Sequence, residues 1–201
     1  AEAALPALMS GWKTRIARIV LAIAIAAASL APSWDALQAR QTTVDAIASR
    51  LEAVAGPHDL IVVNPWYLGV TFERYYRGGT EWTTVPPLAS HTLHRFDLIK
   101  TYMMSPNVMA PVLEKLERTL IAGGTVWIVG GVPLAGLPYA ELPLPPLPDS
   151  GWQAGPYTRL WGVQAWTYLK SHASTTEGVA VDVRAIDYER AGLIEIRGWH
   201  P

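Results

Sequence analysis

Residues 59–100 read DLIVVNPWYLGVTFERYYRGGTEWTTVPPLASHTLHRFDLIK, and the opening of this stretch decides the fold. Leu60, Ile61, Val62 and Val63 form an unbroken apolar run rich in β-branched side chains and closed by Asn64-Pro65. Such a run predicts a strand covered on both faces, as in parallel sheets, and Pro65 ends it because proline has no N–H to give a ladder. Trp66 to Arg77 then follow the carboxyl end of that strand, the side on which open α/β sheets hold ligands.

Working outward, the rest of the chain supplies the partners that such a strand requires. Residues 69–77 predict a short helix, Gly78-Gly79 a break, and Glu81 to Val85 a second strand ended by Pro86-Pro87. Phe96 to Met104 read as a short helix. A longer helix is expected from Ser105 as N-cap and Pro106 at N1, with Val108, Val112, Leu116 and Leu120 on its apolar stripe and Pro111 as an interior kink. After Gly123-Gly124, Thr125 to Val129 form a third strand, and Gly130-Gly131 a tight exit. Alternating strands and helices of this kind specify an α/β fold, read here as Rossmann-like, with a mainly parallel sheet and flanking helices. Leu134 to Pro148, dense in Pro and Leu, read as an apolar linker. A helix is expected over 156–173. Val179, Val181 and Val183 alternate with Asp182 and Arg184, and with Leu193 to Ile196 they predict a C-terminal hairpin at a sheet edge.

Ahead of the sheet lies a different kind of sequence. Ile19 to Trp34 carry no charge, and Lys13, Arg15 and Arg18 stand just before them. Two readings fit this pattern. As a membrane helix, with the basic flank cytoplasmic, it anchors the chain in the inner (plasma) membrane and sends everything after about residue 32 to the extracytoplasmic side. As a signal peptide, it begins at Met9 and is cleaved near Ala31. The eight residues before Met9 favour a piece of a longer protein. The expected organisation is therefore residues 1–32 as membrane helix or signal peptide and residues 33–201 as an extracytoplasmic α/β domain, entered through one or two helices between Ser33 and Gly56.

Composition limits the functions to be considered. Half of the residues are apolar and only 16% are charged, below the usual quarter, which suits a membrane-linked chain. A net charge of -1 argues against nucleic acid, whose phosphates call for a basic stripe. There is no Cys, hence no disulfide framework and no thiolate metal site. Ile128-Val-Gly-Gly131 lacks both the dinucleotide and the P-loop signatures, so no cofactor is expected.

The candidate site residues come from the opening stretch. Parallel strands ending at Asn64, Val85 and Val129 would bring Asn64, Tyr67, His91, His94, Arg95 and Gly130 to one sheet edge. Arg95 and Arg74 offer forks for a phosphate or carboxylate, and Tyr67, Tyr75 and Trp82 offer flat faces for a sugar ring. His91, His94 and Asp97 could be written as metal ligands, but their spacing fits neither a structural zinc site nor His at i and i+4 on a helix, so no metal is expected. Asp59, Glu73, Glu81 and Asp97 could pair as acid and base, though no spacing singles them out. No catalytic residue is identified.

The basic-flanked apolar helix, Asp59-Leu-Ile-Val-Val-Asn-Pro-Trp-Tyr67, Phe72-Glu-Arg-Tyr-Tyr-Arg77, Trp82-Thr-Thr-Val-Pro-Pro87, His94-Arg-Phe-Asp97 and Gly124-Thr-Val-Trp-Ile-Val-Gly130 together resemble the C-terminal end of bacterial polytopic glycosyltransferases of the dolichyl-phosphate-mannose type, or family 39-like enzymes. The resemblance implies a last transmembrane helix followed by an extracytoplasmic domain, a polyprenyl-phosphate-linked sugar donor, and partnership with the remaining transmembrane part of the same enzyme. The catalytic acidic loop of such enzymes has no counterpart here, which makes this chain a non-catalytic end piece. The alternative is a membrane-anchored or secreted module that binds a sugar or anion without chemistry.

Overall fold

A computed structural model of the chain describes residues 11–38, 40–131, 154–181 and 189–201. The described residues fall into two compact units, one ending at Arg40 and the other running from Gln41 to Pro201.

The first unit is helix α1, Trp12–Gln38. Its segment Thr14–Trp34 is long and apolar enough to cross a membrane. The helix continues through Pro32, three residues beyond which its apolar character gives way at Asp35.

The second unit contains α2 (Val44–Val54), β1 (Leu60–Asn64), α3 (Leu68–Tyr75), β2 (Glu81–Thr84), α4 (Phe96–Met103), α5 (Ala110–Ile121), β3 (Val126–Gly130), α6 (Ala154–His172), β4 (Ala173–Val179) and β5 (Gly192–Trp199). The strands form one sheet in the order β2-β1-β3-β5-β4. The first three are parallel, with Val62 level with Thr83 on one side and Ile128 on the other. β5 runs antiparallel to both β3 and β4. The sheet is thus mixed: a parallel half and an antiparallel C-terminal hairpin.

Period-two alternation divides the apolar strands between two cores. Leu60, Val62, Val126, Ile128 and Ile196 face α4, α5 and α6, where Ile99, Val112, Leu116, Leu120, Trp161 and Leu169 cover them. Ile61, Val63, Trp127, Val129 and Leu193 face α2 and α3, where Ile47, Leu51 and Phe72 lie. Both faces of β1 and β3 are covered, which is why their sequences are apolar throughout.

Three sequence expectations are corrected. The long helix starts at Ala110 rather than Ser105, and Pro111 occupies its first turn, where the missing N–H is no loss and no kink arises. The Ser33–Gly56 region does not begin a new helix at Ser33, because α1 carries on to Gln38 and the next helix opens at Val44. The strand expected around Val179–Val183 instead leaves α6 directly at Ala173 and ends at Val179. Asp182, Val183 and Arg184, like the Leu134–Pro148 linker, lie outside the described residues.

Candidate functional site

β1 and β3 end side by side, and their junction is built by Asn64. Gly131 N–H donates to the Asn64 carbonyl oxygen at 3.1 Å, and Asn64 Nδ2 donates to the Gly131 carbonyl oxygen at 2.7 Å. Gly130 makes this approach possible. It has φ of +116°, and a Cβ there would fall 1.7 Å from the Asn64 carbonyl oxygen, so only glycine fits.

Above this junction opens a cavity of about 370 Å³, lined by Asn64, Trp66, Tyr67 and Phe96 on one side and by Gly155, Thr158, Arg159 and Gly162 of α6 on the other. Trp66 is the hinge between the two walls: its ring is buried, and its indole N–H donates to Thr158 Oγ1 at 3.1 Å. Tyr67, His94 and Phe96 meet the Trp66 ring edge-on, at centroid distances of 5.9, 6.0 and 5.3 Å. Edge-to-face contacts of this kind fix ring orientations and leave outer faces available. Tyr67 and Phe96 remain about half exposed. Arg159 is exposed and is the one charged side chain among the described lining residues.

Beneath the cavity floor, Asn64 and Trp166 border a void of about 10 Å³, close to the space one water occupies. Asn64 Oδ1 accepts no hydrogen bond and the Trp166 indole N–H donates none, although both atoms are buried. A buried polar atom without a partner is uncommon, and two of them border this one edge.

The structure distributes the residues singled out in the sequence over several places. Asn64 and Tyr67 line the cavity, and His94 buttresses it from behind, its Nε2 lying 3.2 Å from the Tyr67 carbonyl oxygen. Arg95 closes a bidentate pair with Asp97 at 2.9 and 2.6 Å, which engages its fork and holds the Asp97 carboxyl down to about 2. His91 is buried against Trp82, with ring centroids 4.4 Å apart, and a Cβ on Gly69 would lie 2.7 Å from its Cδ2. Burial lowers the His91 pKa, with Glu73 opposing more weakly. Arg74 and Tyr75 stand at the last turn of α3, about 10 Å along the helix from Tyr67. They face each other, with the guanidinium 5.8 Å from the ring centroid.

The acidic residues do not converge. Asp59 is held at the opposite sheet edge by three N–H donors, Glu81 pairs with Lys115 at 2.9 Å, and Asp97 pairs with Arg95. Among the described residues no three His, Asp or Glu side chains are grouped to hold a metal ion.

Trp66, Thr158, Arg159 and Gly162 were not singled out in the sequence. One signal for the α6 wall was present: Gly155, Thr158 and Gly162 recur at i, i+3 and i+7, a strip of small residues on one helix face that leaves room beside it.

A second cavity, of about 440 Å³, lies between the α4–α5 turn and α6, lined by Met103, Met104, Met109, Tyr157 and Trp161. No charged side chain is among its described lining residues. The cavity at the strand ends is the stronger site, since it joins aromatic faces, a cation and the edge where parallel strands present ligands.

No family model, curated protein or solved structure matches this chain. The glycosyltransferase resemblance therefore rests on the quoted motifs alone.

Proposed function

We propose that this chain is a membrane-anchored binding module whose strand-end cleft takes an amphiphile with a ring and an anionic group, such as a polyprenyl-phosphate-linked sugar. One observation carries the reading: a single cleft of about 370 Å³ faces Trp66, Tyr67 and Phe96 on one wall and Arg159 on the other. Aromatic faces suit sugar rings or prenyl groups, and a guanidinium suits a phosphate, which it grips through two parallel N–H bonds. The volume is that of a small-ligand site. Arg159 takes the anion-holding role that the sequence suggested for Arg95, whose fork Asp97 occupies.

The role as the non-catalytic end piece of a membrane glycosyltransferase fits such a cleft, because that donor combines all three chemical features. Its support is the sequence resemblance. The sugar-or-anion module without catalysis needs only the cleft.

Titration of the full chain in detergent micelles separates these chemistries by intrinsic tryptophan fluorescence, with Trp66 as reporter. Geranyl phosphate should saturate the signal, glucose 1-phosphate should bind more weakly, and inorganic phosphate should leave it unchanged. Absence of a saturable response to both organic phosphates would overturn the binding reading.

A further inference from the structure

Below the cleft, α6 turns one face toward the carboxyl ends of the strands. Gly162, Ala165, Trp166 and Leu169 recur at i, i+3, i+4 and i+7 on that face, and with Val62, Asn64, Val85 and Ile128 they border the void of about 10 Å³. Asn64 and Gly162 line the cleft as well, so the void adjoins its floor. Apart from Asn64 and Trp166, every residue around the void is apolar.

The Asn64 amide can be oriented in only one way. Its Nδ2 donates to the Gly131 carbonyl oxygen at 2.7 Å, and a flipped amide would set two oxygens against each other there. Oδ1 is therefore the free end of the group, a buried acceptor with no hydrogen-bond partner among the described residues. The Trp166 indole N–H is a buried donor in the same condition. Other indoles packed on the sheet are satisfied, Trp66 by Thr158 Oγ1 and Trp127 by Asp59 Oδ2, both at 3.1 Å, so an unmatched indole is not a general feature of this core.

Two unmet groups of opposite kind beside one small void define what fits there. The occupant must donate to Asn64 Oδ1 and accept from the Trp166 indole N–H at once. A phosphate or carboxylate oxygen only accepts and would repel Oδ1, and an ammonium group only donates and would repel the indole N–H. A carboxamide has both functions but exceeds the room, which suits a single oxygen. A neutral hydroxyl meets both demands.

We propose that this void binds one neutral hydroxyl-type oxygen, which donates to Asn64 Oδ1 and accepts from the Trp166 indole N–H. Water fills the site in the free chain and ties α6 to the end of β1 beneath the cleft. A ring held in the cleft either supplies its own hydroxyl in place of that water or rests above it. In the first case Asn64 and Trp166 read a ring hydroxyl, and the cleft distinguishes a sugar from a plain prenyl group. That source of the oxygen rests on the reading of the cleft as a ligand site; the water does not.

The Trp166 indole reports on the site directly, by NMR of the full chain isotopically labelled at tryptophan in detergent micelles, its signal assigned as the one missing from Trp166→Phe. In the free chain the indole proton should show a cross-peak to slowly exchanging water. Saturating glucose 1-phosphate then separates the two sources: loss of the cross-peak with a shift of the indole signal assigns the oxygen to the sugar, and persistence assigns it to held water. Geranyl phosphate has no hydroxyl on its prenyl group and should leave the cross-peak in place. A free chain without the cross-peak, or its loss to geranyl phosphate, would overturn the proposal. The fluorescence titration keeps the two ideas apart: a water cross-peak without saturable binding of either organic phosphate retains the oxygen site and removes the cleft ligand, and saturable binding without the cross-peak does the reverse.

Discussion

The two edges of the sheet are built from the same strands and treat their polar groups in opposite ways. At the amino-terminal edge, the Asp59 carboxylate accepts N–H bonds from Gly56 and Thr125 at 2.8 Å each and from the Trp127 indole at 3.1 Å, tying the α2–β1 turn to the start of β3. At the carboxyl edge, Asn64 Oδ1 and Trp166 Nε1 have no partner, aromatic rings stand half exposed and a cavity remains open. One edge is closed by hydrogen bonds and the other is left open with unsatisfied polar groups. An acidic residue beside a buried strand thus serves stability here, whereas a neutral Asn and an Arg distant in sequence line the open cavity to which the proposed binding role is assigned.

Substitutions can break this comparison, and the largest effect is expected where both cores share a strand. Val62→Asp puts an unpaired carboxylate into a fully buried position. At several kcal/mol against a total stability of roughly 5–15, it should abolish cooperative unfolding by circular dichroism. Gly130→Ala comes next, because its Cβ would overlap the Asn64 carbonyl oxygen in a φ that alanine avoids. A loss of about 3 kcal/mol or more is expected in urea denaturation, with the cleft distorted as well.

Asp59→Ala leaves three N–H donors of the closed edge without their acceptor. It should lower stability by roughly 2–3 kcal/mol while leaving ligand affinity unchanged.

The pH dependence separates a buried histidine from the exposed ones. Burial places the folded pKa of His91 below its ordinary 6.5. The unfolded chain therefore takes up its proton first as pH falls, and stability present above about 6.5 is lost below it. The urea midpoint should be lower at pH 5.5 than at pH 7.5, and His91→Gln should flatten that difference.

The smallest effect is expected at Arg95. Its pair with Asp97 lies at the surface, where ion pairs contribute little, so Arg95→Ala should leave both melting temperature and ligand affinity near wild type.

Much of the sheet was legible because burial on both faces writes an unmistakable run, as in Leu60 to Val63 and Val126 to Val129. β4 was not, since Ala173 to Val179 is a largely exposed edge strand whose Ser, Thr and Glu carry no apolar alternation. It follows α6 without a turn, so nothing in the sequence marks where helix becomes strand. The α5 start was misplaced because two prolines, Pro106 and Pro111, both qualify for a first helical turn. Asn64 and Tyr67 were legible as cleft residues from strand direction alone. Arg159 was not, because it reaches the cleft from a helix some ninety positions later, and only the packing of α6 across the strand ends, fixed by the Trp66–Thr158 bond, brings it there.

The claim that one edge holds the fold and the other holds the ligand is tested most directly by measuring Asp59→Ala and Arg159→Ala side by side, each for melting temperature and for geranyl phosphate affinity. The account predicts a crossed result. Arg159→Ala should weaken binding about tenfold, or 1.4 kcal/mol, with its melting temperature unchanged, and Asp59→Ala should lower the melting temperature with affinity intact. Arg159→Ala binding as tightly as the wild type, or the two variants losing stability and affinity together, would contradict it.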